Sequence, residues 1–178
     1  RLLAGGIAEH PTLTSLHLEH NPVLDGGAAA IASVLPSTSV TSVNLNFSGA
    51  GAEACAALAS AIAAGCALRT LELCGNIIDG KGLAVLAAAL TAPGAAPLRI
   101  LHLSANRIDS PSLCDLAKIL HATSIEELAL AGCGVDHRVC SRLGPALPQT
   151  RVSTLDLSAN DLGDAGAWDI AWAVPGAI

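Results

Sequence analysis

The chain has 178 residues, a length that corresponds to about one domain. Apolar residues make up 52% and charged residues only 13%, a composition that excludes an intrinsically disordered chain. Fifteen acidic residues against nine basic ones give a net charge of −6, and Lys and Arg form no cluster, which excludes nucleic acid as an expected partner.

One pattern occurs six times along the chain and predicts six short strands. In chain order the segments are LTSLHLEHN (13–21), VTSVNLNFS (40–48), LRTLELCGN (68–76), LRILHLSAN (98–106), IEELALAGC (125–133) and VSTLDLSAN (152–160). They fit L-x-x-L-x-L-x-x-N/C with exchanges among apolar residues, and Ser48 is the one departure at the last position. We expect parallel strands that begin near residues 15, 42, 70, 100, 127 and 154.

A helix is predicted after each strand. Counted from the last position of the segment, offsets 10 and 14 are apolar and offset 11 is always Ala or Gly, and these offsets share one helix face. The small residue is expected to let the helix backbone sit close to the strand layer. The predicted helices cover roughly 26–35, 53–63, 80–91, 111–121, 138–146 and 164–174. Five aspartates lie near their starts, where a carboxylate can cap free N–H groups: Asp25, Asp79, Asp109, Asp136 and Asp164.

These units resemble the leucine-rich repeat of the ribonuclease-inhibitor type, over essentially the whole chain. The resemblance implies an α/β fold, a leucine-rich-repeat solenoid with a curved parallel sheet on the concave side and helices on the convex side. We expect residues 1–178 to form one such domain, with repeats that start at 13, 40, 68, 98, 125 and 152. Residues 1–12 are expected to be the helix end of a truncated repeat, with Leu3 and Ile7 at core positions. Neither end supplies a polar cap, so we expect a fragment of a longer chain.

Three patterns are similar to sites of chemistry, and each lacks a feature that the chemistry requires. GNIIDGKG (75–82) is similar to a phosphate-binding loop, but Gly82 lacks the hydroxyl that would bind magnesium. His17 and His20 have metal-ligand spacing without a third good ligand nearby. His102 and Asp156 are expected about 10 Å apart, too far for a nucleophile and its base. The sequence therefore predicts no enzyme, no cofactor and no metal site.

The six cysteines and the hydropathy predict a location. Cys55, Cys66, Cys74, Cys114, Cys133 and Cys140 form no C-x-x-C pair, and we expect buried free thiols in a reducing compartment. The longest charge-poor stretch, 54–68, is too short and too weakly hydrophobic for membrane insertion. No signal peptide is evident. We expect an intracellular protein in the cytoplasm, with association to an organelle or the cytoskeleton left open.

The concave and convex faces are the first two candidate binding surfaces. The concave face carries a polar, mildly acidic column with one aromatic anchor beside it. These candidate binding residues are His17, Asn44, Glu72, His102 and Asp156, with Phe47 as the anchor. The convex face carries small apolar residues where a free solenoid exposes charge, among them Ala56, Ala57, Val85 and Ala88. A contiguous apolar patch typically marks an interaction site, although packing between neighbouring helices would explain the same residues.

Two tryptophans in the last predicted helix form a third candidate surface. Trp168 and Trp172 are spaced i, i+4 and therefore lie on one helix face, which the repeat directs away from the strands. We expect them to meet a missing cap, a further repeat or a partner protein, and we favour the partner. The alternative is packing along the preceding helix near Arg142 and Ala146.

We interpret the chain as a non-catalytic module for protein–protein interaction or scaffolding, a subunit of a larger hetero-complex. Two alternatives come from other classes. One is the ligand-sensing repeat region of a nucleotide-dependent immune-type receptor, and the other is a GTPase-activating protein of leucine-rich-repeat fold. The first would need a separate nucleotide-binding domain, and the second an Arg or Asn at a matched rim position. Neither feature maps onto these residues.

Overall fold

The computed structural model of the chain describes residues 2–172, in which strands and helices alternate. The helices are α1 (Leu2–Glu9), α2 (Leu24–Val34), α3 (Ala52–Ala63), α4 (Gly80–Leu90), α5 (Ser110–Ile119), α6 (His137–Ala146) and α7 (Gly163–Ala171). The strands are β1 (Ser15–His17), β2 (Ser42–Asn44), β3 (Thr70–Glu72), β4 (Ile100–His102), β5 (Glu127–Ala129) and β6 (Thr154–Asp156). All six strands begin at the predicted residues. The last predicted helix ends earlier than expected, and residues 173–174 of that prediction lie outside the described residues.

The six strands form one parallel sheet in chain order, β1 to β6. The register places the middle residue of each strand in a single row: Leu16, Val43, Leu71, Leu101, Leu128 and Leu155. The first five are buried, and Leu155 of the last strand is half-buried. The helices pack on one another in sequence order. Each repeat therefore buries its apolar face against its neighbours, as in a solenoid.

At one of the small offset-11 positions the structure shows a contact with the next helix, which the sequence did not predict. A methyl group built on Gly144 of α6 would overlap the backbone carbonyl of Asp169 in α7. A second contact, between a cysteine of one helix and a glycine of the next, occurs twice along the chain. The sulfur of Cys55 lies 3.2 Å from the Cβ position of Gly82, and that of Cys140 lies 3.1 Å from the Cβ position of Gly166. These cysteines are buried packing residues.

A ladder of asparagines connects the turns that follow the strands. The Asn106 side chain donates from Nδ2 to Leu73 and Leu103 carbonyls, and its Oδ1 accepts from the Ile78 backbone N–H. Asn76 bonds in the same way, and both residues are buried. Asn160 makes equivalent bonds but is only half-buried, because no described repeat follows it.

The truncated repeat at residues 1–12 also departs from prediction at one residue. Ile7 and Ala4 of α1 are buried, but Leu3, expected at a core position, is 54% exposed. Residues 2–172 contain no earlier repeat that would cover it. Within the same part of the chain, no helix has the length and apolar character needed to cross a membrane.

Aspartates cap the helices in two ways. Asp79, Asp109 and Asp136 accept hydrogen bonds from N–H groups in the first turn of their own helices, as predicted. Asp25 instead accepts from the backbone N–H groups of Gly51 and Ala54, at the start of the next helix, α3. Asp25 therefore joins two repeats.

Candidate functional site

The concave face is the surface of the sheet that points away from the helices. The strand register aligns its central column: His17, Asn44, Glu72, His102, Ala129 and Asp156. His17 and Asp156 are exposed, whereas Glu72 and His102 are half-buried. Asn44, expected as an exposed binding residue, is buried at 8% exposure. The structure therefore aligns the predicted column, but Asn44 is buried within it and does not present its side chain to solvent.

Four successive repeats, the second to the fifth, hold a polar network in the middle of the concave face. Glu72 Oε2 accepts from Asn44 Nδ2 at 3.3 Å and from Asn46 Nδ2 at 3.0 Å. His102 Nε2 lies 2.8 Å from Glu127 Oε1, and its Nδ1 lies 4.0 Å from Glu72 Oε2. These contacts fix the side chains before any partner arrives, which lowers the entropy cost of binding.

The charge on this face is negative. The strand positions and the residues that follow them contribute four carboxylates and no Lys or Arg: Glu19, Glu72, Glu127 and Asp156. Hydrogen bonds from the Ser158 hydroxyl and backbone N–H lower the pKa of Asp156 below its ordinary value, which favours its charged form. The face therefore attracts cationic groups.

The residues singled out for chemistry have structural partners. His20 does not turn toward His17, because its ring stacks on Phe47 with the centroids 4.6 Å apart. The Gly82 N–H of the phosphate-loop-like segment donates to the Asp79 carboxylate. Within residues 2–172 no group of three or more His, Cys, Asp or Glu side chains is arranged to hold a metal ion. Burial raises the pKa of the Cys55 thiol to about 12, which makes it a poor nucleophile.

The turns after the strands share an unusual backbone geometry. In all six repeats the residue before the ladder position has a positive φ, between 53° and 65°: His20, Phe47, Gly75, Ala105, Gly132 and Ala159. This region costs about 1–2 kcal/mol for a residue with a Cβ atom, so large side chains are unexpected there. The first two repeats nevertheless carry rings, and Phe47 is 52% exposed.

Sequence reasoning identified Phe47 but missed its neighbours. Leu24 also has a positive φ, of 58°, and is 56% exposed, and Ile77 is 55% exposed. The Leu24 side chain lies over Gly49, and a Cβ on Gly75 would overlap the Phe47 ring. These side chains cover one stretch of the turns in repeats one to three. We call His20, Leu24, Phe47 and Ile77 the turn-edge patch. A prediction of backbone φ would have found three of these four residues from the sequence, all except Ile77.

On the convex face, small residues shape a shallow surface. Val85 is 44% exposed, and Ala56 and Ala88 are exposed as well. Ala57 is half-buried and lines a groove of about 320 Å³ between α2 and α3. Packing between neighbouring helices accounts for Ala57, whereas the other three present only small side chains to solvent.

The two tryptophans of α7 project outward. Trp168 is 65% exposed and Trp172 is 62% exposed, so neither is buried against α6 near Arg142 and Ala146. Beside them, the surface beyond β6 and α7 forms an apolar groove of about 750 Å³. Its lining includes Leu147, Val152, Leu155, Leu157, Leu162 and Ile170.

Replacing both Trp168 and Trp172 by Ala is expected to change the free energy of unfolding by less than about 0.5 kcal/mol, because little buried area is lost. Association with a partner or a second copy is expected to weaken. Denaturation measures the first effect and sedimentation velocity the second. Replacing the buried Leu143 by Ala is the control, since it should destabilise the fold. Early unfolding of the tryptophan variant with normal association would show that these residues belong to the core.

The comparisons with known proteins agree with this architecture. A family model described as Leucine Rich repeat matches residues 9–32 and 152–171. A ribonuclease inhibitor of Sus scrofa is 32% identical over 171 residues, which cover 94% of this chain. The match covers 31% of the inhibitor, so the chain spans about a third of the length of this relative.

Two solved structures share the fold at 18% sequence identity. The actin-binding site 2 of leiomodin-1 superposes with a TM-score of 0.61, covering 71% of this chain and 76% of that one. An internalin (inlF) of Listeria monocytogenes superposes with a TM-score of 0.50, covering 93% and 48%. The repeats, the topology and these matches show a leucine-rich-repeat fold whose repeats are similar to those of ribonuclease inhibitor. Domains of this kind typically serve protein–protein interaction.

Proposed function

We propose that this chain is a non-catalytic protein-binding module that uses its concave face and works as a subunit of a larger hetero-complex. One observation carries the proposal. His102 is held between Glu72 and Glu127, so three repeats place fixed polar side chains side by side on an open surface. Such an arrangement suits a large flat partner better than a small substrate, which is normally enclosed in a pocket.

The relatives support a protein as the partner. One of them is named as an inhibitor of ribonuclease, and another is named as a site that binds actin. Both names refer to binding of another protein and not to turnover of a substrate. We extend that mode of action, without either specific partner, to this chain.

We place the module in the cytoplasm. All six cysteines are free, and four of them are buried: Cys55, Cys66, Cys133 and Cys140. Free thiols of this kind are typical of proteins in a reducing compartment. Burial raises the pKa of the Cys66 and Cys133 thiols, which keeps them protonated and slow to oxidise.

The test compares two double variants of the chain expressed with an affinity tag, cross-linked in cells and analysed by quantitative mass spectrometry. Glu72→Ala with His102→Ala removes the concave network. Asp115→Ala with Lys118→Ala removes an exposed ion pair of α5 and is the matched control. We expect the concave variant to lose at least four fifths of the cross-linked partner while the control keeps it. Equal recovery from both variants, at equal thermal stability, would overturn the concave face as the binding surface.

A further inference from the structure

We infer that the turn-edge patch anchors an extended protein segment in which one apolar side chain is flanked by Lys or Arg. This inference rests on the proposed protein-binding function and names the chemistry of the partner. Three successive repeats contribute residues to the patch, and the rings of two of these residues, His20 and Phe47, stack on each other. Backbone hydrogen bonds align the turns, since the His20 N–H donates to the Asn46 carbonyl and the Phe47 N–H donates to the Cys74 carbonyl.

The fold itself does not require these large side chains. Phe47 and Leu24 each combine a positive φ with more than half of the side chain exposed, so both backbone strain and contact with water oppose them. Strained residues of this kind concentrate at functional sites. Gly or Asn would satisfy the same turn without strain. A partner that buries these two side chains would offset both costs.

The patch is confined to one half of the solenoid. At the position of Phe47, repeats three to six carry only Gly or Ala. At the position of Ile77, repeats four and six carry Arg107 and Asp161. The repeat pattern therefore permits small or charged residues at these positions, and the apolar side chains mark a local surface.

The charge beside the patch selects the partner. Asn46 and Phe47 are consecutive, and Asn46 Nδ2 donates to Glu72 Oε2 at 3.0 Å. Glu19 directly precedes His20, and the concave columns contain no Lys or Arg. We expect the chain neighbours of an apolar side chain placed on Phe47 to lie near these carboxylates, of which Glu72 is the partner of the adjacent Asn46. Lys or Arg at those neighbouring positions of the segment would pair with the negative carboxylates, whereas an acidic segment would be repelled by them.

Four fluorescein-labelled synthetic peptides of eleven residues serve as probes in anisotropy titrations with the 178-residue chain. One has a central Phe between Arg and Lys residues, and the second replaces that Phe by Ser. The third keeps the Phe between Glu residues, and the fourth keeps it between Ser residues. We expect the first peptide to bind at least tenfold more tightly than any other, and its affinity to fall as salt rises.

Variants of the chain locate the site. Phe47→Asn keeps the positive φ accessible and should leave the melting temperature unchanged or raise it, while binding of the first peptide falls at least tenfold. Ala159→Asn, at the equivalent position of the sixth repeat, is the matched control and should bind normally. Glu72→Gln should weaken binding severalfold and flatten its salt dependence.

Three results would overturn the inference: no binding of any peptide, equal binding of the basic and acidic peptides, or unchanged binding by a folded Phe47→Asn variant. The proposed concave-face function is tested independently, because its cross-linking experiment replaces Glu72 and His102 and leaves Phe47 unchanged. A loss of cross-linked partner without peptide binding would mean that the module binds a protein of different chemistry.

Discussion

Asn106→Ala is expected to lower the free energy of unfolding by about 1–3 kcal/mol, the cost of leaving buried polar groups without partners. The side chain satisfies groups in two repeats, since it bonds to Leu73 of the third repeat and Leu103 of its own. It also accepts from the Ile78 N–H at 3.0 Å. Alanine leaves these groups unpaired at 6% exposure, where water reaches them poorly. Urea denaturation followed by circular dichroism measures the loss.

Two other asparagines of the ladder provide controls. Asn160 makes the same bonds but is half-buried, so water can replace its side chain and Asn160→Ala should cost less. Asn21 is exposed and bonds only to Leu18 and Glu19 of its own repeat, so Asn21→Ala should be close to neutral. Similar losses at positions 21 and 106 would mean that the ladder stabilises each turn locally and not the contact between repeats.

The periodic features of the fold were predictable from the sequence. The L-x-x-L-x-L pattern fixes which residue of each strand is buried, and all six strands begin at the predicted residues. Helix starts fell within two residues of prediction, because apolar offsets and aspartate caps mark them. Departures occur at the ends of the described chain. Leu3 and Asn160 follow the pattern but lack a neighbouring repeat to cover them.

Contacts between repeats were much harder to predict. The sequence indicates that Asp25 lies at a helix start, but only the stacking shows that it caps the following helix, α3. Asn44 occupies a strand position of the exposed face, yet the residue is buried, and its amide donates to Glu72 of the next repeat. The stack of His20 on Phe47 joins residues 27 positions apart through backbone of unusual φ. A pattern counted within one repeat carries no information on such pairs.

Gly144→Ala is expected to destabilise the chain, although helix propensity alone predicts the opposite. Alanine in place of glycine inside a helix should add about 1 kcal/mol of stability. At Gly144 a methyl group would overlap the backbone carbonyl of Asp169, whose carbon would lie 2.8 Å away. Backbone cannot rotate aside as a flexible side chain can. Helix α7 must therefore shift away from α6, and overpacking of this kind costs about 1–3 kcal/mol.

The control is Gly5→Ala in α1, where nothing lies within 4 Å of the new methyl group. This variant should gain the full propensity benefit of about 0.5–1 kcal/mol. Both substitutions add one methyl group within a helix, so opposite signs separate a crowded position from an open one. Pro145, which follows Gly144, adds to the cost because a Cβ before proline disfavours the helical conformation. Denaturation measures both, and tryptophan fluorescence adds a local readout because both tryptophans of the chain lie in or directly after α7. A stabilised Gly144→Ala variant would show that α7 adjusts freely, and that the small residue at this offset is not needed for helix packing.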